Sequence, residues 1–167
     1  MAGVREAQQR DVSDAACVKA AGWRDSYARL VPAPVLAPFT LPSLWMPKVA
    51  SLLGHLDSFF LVDTADGEVR GLAHGSVRAC PPGVAAHPGG APGAWHRAGV
   101  DARGAGRVRA RGARSLHFDV VSGNDRALRI YRRLGGVDLG THPAGWALEV
   151  TETSLVFPDA PPSEREA

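Results

Sequence analysis

The chain is short of several things, and each shortage excludes something. It has two cysteines, Cys17 and Cys80, too few for a disulfide framework, so reduced thiols are expected. No apolar run approaches the ~20 residues of a membrane-spanning helix, and the opening MAGVREAQQR has no hydrophobic signal core. A soluble, cytoplasmic protein is therefore expected. Excess charge is also lacking: the formal net charge is +2 at pH 7, too small to imply a nucleic-acid partner. Lysine is scarce while Ala, Arg, Gly and Pro abound, the signature of a GC-rich gene. The 167 residues suit one domain, and an apolar content of 45% can fill a core. No internal repeat is present.

One stretch is poorer still. Residues 79–109, ACPPGVAAHPGGAPGAWHRAGVDARGAGRVR, contain no Leu, Ile, Phe, Met or Tyr, so neither a buried strand nor an amphipathic helix of ordinary kind can form there. The expected plan is a single domain over 1–157, with 79–109 irregular or disordered, and a Pro-rich, acidic tail over 158–167 that frays. Cys80, His87 and His96 match no zinc spacing, and no metal is expected. The cluster Arg97, Arg103, Arg107, Arg109, Arg111 and Arg114, interleaved with Gly, offers a second reading as an RNA-binding arm, which would show steep salt dependence.

The informative residues lie on both sides of that gap. In Ser115–Gly136, SLHFDVVSGNDRALRIYRRLGG, Leu116, Phe118 and Val120 alternate with His117 and Asp119, the period of a strand. Ser122-Gly123-Asn124 breaks the strand and supplies a helix N-cap. Ala127, Leu128, Tyr131 and Leu134 then recur at helical spacing. Arg132 and Arg133 suit the helix C-terminus, and Gly135-Gly136 ends it.

Upstream, Val4–Ala7 reads as a short strand. Asp11 is a plausible N-cap for a helix running to about Leu30, with Val12, Ala15, Ala16, Lys19, Ala20 and Trp23 on one face. Pro42 and Pro47 predict a broken second helical region ending at Gly54. Phe59–Val62, the turn Ala65-Asp66-Gly67 and a strand over Glu68–Val77 read as a hairpin. After the gap, Val137–Gly140 and Trp146–Phe157 read as strands around a Pro143-Ala144-Gly145 turn.

The pattern N-x-x-A-x-x-x-Y-x-x-x-G formed by Asn124, Ala127, Tyr131 and Gly135 resembles the CoA-side strand–helix motif of the GNAT superfamily of N-acetyltransferases. Trp23-Arg24 through Tyr27, Leu30 and Pro32 resembles the first-helix signature W-R-x-x-Y-x-x-L-x-P of one branch of that superfamily. FFLVDTADGEVRGLAHGSV resembles its second and third strands, in the correct order. The resemblance covers about three quarters of the chain. It implies an α/β fold, a mixed and mostly antiparallel sheet flanked by helices, and acetyl transfer from acetyl-CoA to a primary amine. Tyr131 would be the general acid, Asn124 and Ala127 would contact the cofactor, and Trp23 and Tyr27 would wall the acceptor site. Each has a plainer alternative: core packing for Trp23, Tyr27 and Tyr131, and a cap alone for Asn124. Asp119 is a weak candidate for the base, more naturally a solvated strand residue. The implied partner is a small-molecule or peptide amine, with no membrane, and a homodimer stays open.

Where the superfamily has its fourth strand, pyrophosphate loop and third helix, the chain departs from it. Asp101–Gly106 puts an acid where an anion-binding loop has Arg or Gln, and fails as that loop. The codons of Ala91–Arg97, however, when displaced by one nucleotide, permit R-Q-G-R-G-I-G, with the Trp95-His96 pair forcing a glycine followed by Ile or Thr. We read this segment as family sequence in a displaced frame, restored near Ala110. The rival is a genuine divergent insert. As written, the chain lacks the loop whose backbone N–H groups would close on the pyrophosphate. This leaves its activity in question and keeps a non-catalytic GNAT-like binding protein as the alternative.

Overall fold

The computed structural model describes residues 3–54, 58–76 and 116–157, so the expectations for 79–109 and for the 158–167 tail lie outside the described residues. The elements are β1 (Gly3–Glu6), α1 (Val12–Tyr27), α2 (Ala33–Leu36), α3 (Pro42–Ser51), β2 (Ser58–Ala65), β3 (Glu68–Ser76), β4 (Leu116–Val121), α4 (Asp125–Arg133), β5 (Val137–Ala144) and β6 (Ala147–Phe157), with 3-10 turns at Gln9–Asp11 and Ala37–Thr40. They form two antiparallel three-stranded sheets, ordered β1-β2-β3 and β4-β6-β5. This is the expected α/β architecture. Among the described residues no helix is long and apolar enough to cross a membrane.

The first sheet carries α1 and α3. Ala15, Ala16 and Ala20 bring α1 close to the sheet, and Trp45 and Val49 of α3 fill the space beside Phe60, Val62, Val69 and Leu72. The β2–β3 hairpin turns through Asp66 (φ 56°) and Gly67 (φ 87°), two left-handed residues in succession, as a turn matching strand twist demands.

Several boundaries differ from expectation. Asp11 precedes α1, but its side chain does not cap the helix. Its carboxylate accepts from both terminal nitrogens of Arg5 at 2.7 Å and from the Gln8 backbone N–H at 2.7 Å. This chelated acid ties β1 to the helix start, and the Arg5 bonds hold its pKa below the usual carboxylate value. Helix α1 stops at Tyr27 rather than Leu30, and one last turn follows in which the Tyr27 carbonyl accepts from both the Leu30 and the Val31 N–H groups ahead of Pro32. The second helical region is broken as expected, into α2, a 3-10 turn and α3, yet α3 continues through Pro47. Pro47 is exposed, and a proline there forfeits one backbone bond without ending the helix. The last hairpin turns at Gly145-Trp146, with Ala144 opposite Ala147 after a register shift, so β5 is longer than expected and Trp146 sits in the turn.

Candidate functional site

The second sheet has two unlike faces. One is covered by α4: Val120 and Leu155 of the sheet pack with Ala127, Leu128 and Tyr131 of the helix. The β4–α4 turn is tight because Gly123 adopts φ +90°, and a Cβ there would lie 3.1 Å from Leu30 Cδ2. Glycine thus lets the end of the α1 region close over the turn. Asn124 caps α4, with its Oδ1 accepting from the Ala127 N–H at 3.2 Å. The C-terminus closes with the Gly136 N–H on the Tyr131 carbonyl (2.9 Å) and the Gly135 N–H on Arg132 (3.1 Å), the paired bonds of a Schellman motif. Gly136 cannot carry a side chain, since a Cβ would lie 2.9 Å from the Tyr131 oxygen. Both ends of α4 are therefore fixed by the residues that the sequence singled out, and Tyr131 is held between them, buried at 8% exposure.

Across β4 lies the opposite face, where the strand register gathers four polar side chains. Asp119 of β4 is opposite Ser154 of β6, and Glu152 of β6 is opposite His142 of β5. The Ser154 hydroxyl donates to Asp119 Oδ1 at 2.5 Å, and His142 Nε2 lies 2.9 Å from Ser154 Oγ and 3.2 Å from Asp119 Oδ1. Glu152 Oε1 accepts from the Trp146 indole N–H at 2.9 Å. Asp119 is thus a buttressed residue with a side chain only 13% exposed, which corrects the expectation of a solvated one. His142 Nδ1 lies 2.9 Å from the Pro143 carbonyl oxygen. That oxygen only accepts, so Nδ1 carries a hydrogen. Bonds to Pro143 and to Asp119 both favour the imidazolium, and the His142 pKa is raised. The ligand atoms of Asp119, His142 and Glu152 lie within 4.8 Å of one another, close enough to share one cation. Sequence reasoning missed His142, Glu152 and Ser154. The available signal was the polar alternation Glu152, Ser154 on a strand whose neighbours alternate too.

This face abuts an aromatic layer. Trp23 stacks on Phe39 (4.5 Å between centroids) and meets Tyr27 (5.1 Å), Trp146 (5.0 Å) and Trp45 (5.5 Å). Tyr27 is buried with Val31, Leu36, Val121, Ala144 and Val150. Burial and the charge of Glu152 push its phenol pKa upward. So the structure brings Trp23 and Tyr27 to the Asp119–His142–Glu152 face, and Asn124, Ala127 and Tyr131 to α4 beyond β4.

The two antiparallel sheets and the helices that cover them are arranged as in solved N-acetyltransferase structures. The chain has the fold of the GNAT superfamily, as solved structures bear out. It resembles an N-acetyltransferase from Staphylococcus aureus Mu50 (TM-score 0.67, 14% identity, covering 96% of this chain and 99% of that one). It also resembles PaiA N-acetyltransferase from Thermoplasma acidophilum in complex with coenzyme A (0.66, 14%, 92% and 98%). A third likeness is to the GCN5-related N-acetyltransferase from Rhodopseudomonas palustris (0.65, 17%, 93% and 94%). No family model and no curated protein matches the sequence.

One polar atom at the α4 N-terminus is left over. Asn124 Nδ2 is buried and has no hydrogen-bond partner among the described residues. A buried amide donor left unmade is costly, and an acceptor arriving beside the α4 N-terminus would relieve it.

Proposed function

We propose that the chain is an N-acetyltransferase of one domain over 1–157, moving an acetyl group from acetyl-CoA to a primary amine. The observation that carries this reading is the β4–Asn124–α4 unit, with a buried amide nitrogen that has no partner among the described residues, set in a GNAT fold. Asn124 Nδ2 and the backbone around Ala127 hold the cofactor arm, and acetyl-CoA supplies the activated acyl group. Tyr131, clamped at both ends of α4, gives its hydroxyl proton to the departing sulfur. Trp23 and Tyr27 shape the acceptor side, and the amine must lose a proton before it attacks. Holding the two reactants together supplies much of the rate.

The composition of segment 79–109, which lacks the pyrophosphate loop, favours a second reading, a non-catalytic GNAT-like or divergent α/β binding protein. Calorimetric titration of the purified chain with acetyl-CoA separates the two. Saturable binding that weakens in Asn124→Ala supports the enzyme. No binding, together with a gene sequence free of paired single-nucleotide shifts across the codons for 75–115, supports the alternative. With an accepted amine, Tyr131→Phe should lower kcat by about 100-fold or more, the scale of general-acid loss, with little change in thermal stability.

A further inference from the structure

We infer that Asp119, His142 and Glu152 are the protein ligands of a zinc-type metal site, on the face of the second sheet that α4 leaves open. The site draws nothing from the acetyltransferase reading. It departs from the sequence expectation of no metal, which weighed only Cys80, His87 and His96.

The ligands come from three neighbouring strands. His142 of β5 and Glu152 of β6 are direct cross-strand partners. Asp119 of β4 is the partner of Ser154, two residues beyond Glu152 and on the same face. Backbone pairing therefore fixes their relative places, and a site built on strands is held more precisely than one on loops. One ligand atom from each residue lies within 4.8 Å of the others. Zinc bonds of about 2 Å set neighbouring ligand atoms roughly 3.3 Å apart. His142 Nε2 and Asp119 Oδ1 already stand at 3.2 Å, so a small swing of the Glu152 carboxylate closes the site.

Each of the three also has an outer partner, which sets them apart from chance polar neighbours. His142 Nδ1 donates to the Pro143 carbonyl at 2.9 Å. That bond fixes the ring and aims Nε2 at the cluster, whether or not Nε2 carries a hydrogen. A backbone carbonyl on the far ring nitrogen is the usual support of a metal-binding histidine. The Ser154 hydroxyl donates to Asp119 Oδ1 at 2.5 Å, and the Trp146 N–H donates to Glu152 Oε1 at 2.9 Å. Ligating carboxylates are supported in the same way. The metal needs one oxygen of Asp119, so any bond at its other oxygen is compatible with the site.

The donor set selects the ion. An imidazole nitrogen favours zinc and its transition-metal neighbours over magnesium and calcium, which prefer oxygen ligands alone. Zinc accepts carboxylate oxygens as well, and three protein ligands leave one tetrahedral position for water. The route in runs past His142, whose side chain is 43% exposed against 13% for Asp119. On the Glu152 side, the Trp146 ring leads into Trp23 and Phe39 at 5.0 and 5.1 Å, an apolar flank that limits solvent around a metal. A metal here would pin β4, β5 and β6 to one another and so stabilise the fold by mass action.

The test is a titration of the intact, EDTA-treated chain with zinc chloride, with magnesium chloride as the control. NMR of the imidazole nitrogens follows it, with His142 assigned by comparison with His142→Gln. We expect one zinc ion to bind saturably and perturb His142 at Nε2, while magnesium leaves that ring unchanged. The melting temperature should rise with zinc and return with EDTA. Zinc affinity read at His142 should fall about tenfold or more in Glu152→Gln and in Asp119→Asn, at least the scale of losing an outer partner. Three results would each overturn the inference. His142 could stay unperturbed in excess zinc. The thermal shift could persist unchanged in His142→Gln, as for a metal held elsewhere in the chain. Binding at His142 could be indifferent to both carboxylate substitutions. Acetyl-CoA enters none of these measurements, so loss of cofactor binding would sink the acetyltransferase reading and leave this result as it stands.

Discussion

The two sheets solve the same packing problem differently. In the first, α1 and α3 press onto an apolar cluster of Phe60, Val62, Val69 and Leu72, and one buried polar contact lies beside it. Lys19 is 4% exposed, with its Nζ 2.7 Å from His74 Nε2 and 4.7 Å from the centroid of Trp45. In the second, α4 seals one face with apolar contacts, while the other carries Asp119, His142, Glu152 and Ser154. One sheet acts as a foundation, and the other is finished on one side only, so that its second side can hold charge. Polar residues on the first sheet should therefore tune stability, whereas those on the second should tune ligand response.

The widest break of that comparison comes from its two best-buried leucines. Leu72 of the first sheet is 1% exposed and Leu155 of the second is 0% exposed. Either one changed to Ala should cost about 2–5 kcal/mol, the range for a core cavity. In urea unfolding both variants should shift one common transition. Two separate transitions, each responding to its own leucine, would show that the sheets unfold independently and that the second is not supported by the first.

Lys19 gives the next effect and sharpens the contrast by its pH dependence. Desolvation, with the charge of Lys48, lowers its pKa to about 7, against ~10.4 for a solvated lysine. Between those values the unfolded chain binds more protons than the folded one, so stability rises with pH. Below pH 7 both states are protonated, and the folded state bears the full cost of a buried charge. Lys19→Met should thus be more stable than the parent at pH 6, by about 1–3 kcal/mol on the scale for burying a polar group, with the difference shrinking toward pH 10. Thermal melts of both proteins at pH 6 and pH 9 check this. A constant difference across that interval would mean that Lys19 does not titrate in the fold.

What could be seen in the sequence was what neighbouring residues decide together. The β2–β3 turn is announced by Asp66-Gly67. The β4–α4 unit is announced by strand alternation, the Asn124 cap, the helical spacing of Ala127, Leu128 and Tyr131, and the Gly135-Gly136 stop. In each case a residue supplies a conformation or a bond within a few positions of itself. The misjudged boundaries are also local but depend on competition: Asp11 could cap α1, yet Arg5, on β1, claims its carboxylate. The charged face of the second sheet left only the alternation of Glu152 and Ser154 along one strand as a signal, and that does not show which residues meet. Asp119, His142 and Ser154 meet only through pairing across β4, β6 and β5, with a register shift between Asp138 and Gly140. No spacing rule along the chain encodes that. It was Asp119, judged by itself, that looked solvated.

The smallest effect separates capping from binding at one residue. Asn124 Oδ1 closes the α4 N-terminus on the Ala127 N–H, while Nδ2 is buried without a partner among the described residues. Asn124→Asp keeps the acceptor and removes the donor, whereas Asn124→Ala removes both. Loss of the cap should cost Asn124→Ala about 1 kcal/mol in urea unfolding. Asn124→Asp should stay near the parent, because an N-terminal carboxylate also caps and suits the helix dipole. If Nδ2 serves only the fold, both variants should bind acetyl-CoA as tightly as the parent. If it serves the cofactor, both should lose affinity although only one loses stability. This is the pattern expected where α4, unlike α1, is held in place partly for a ligand.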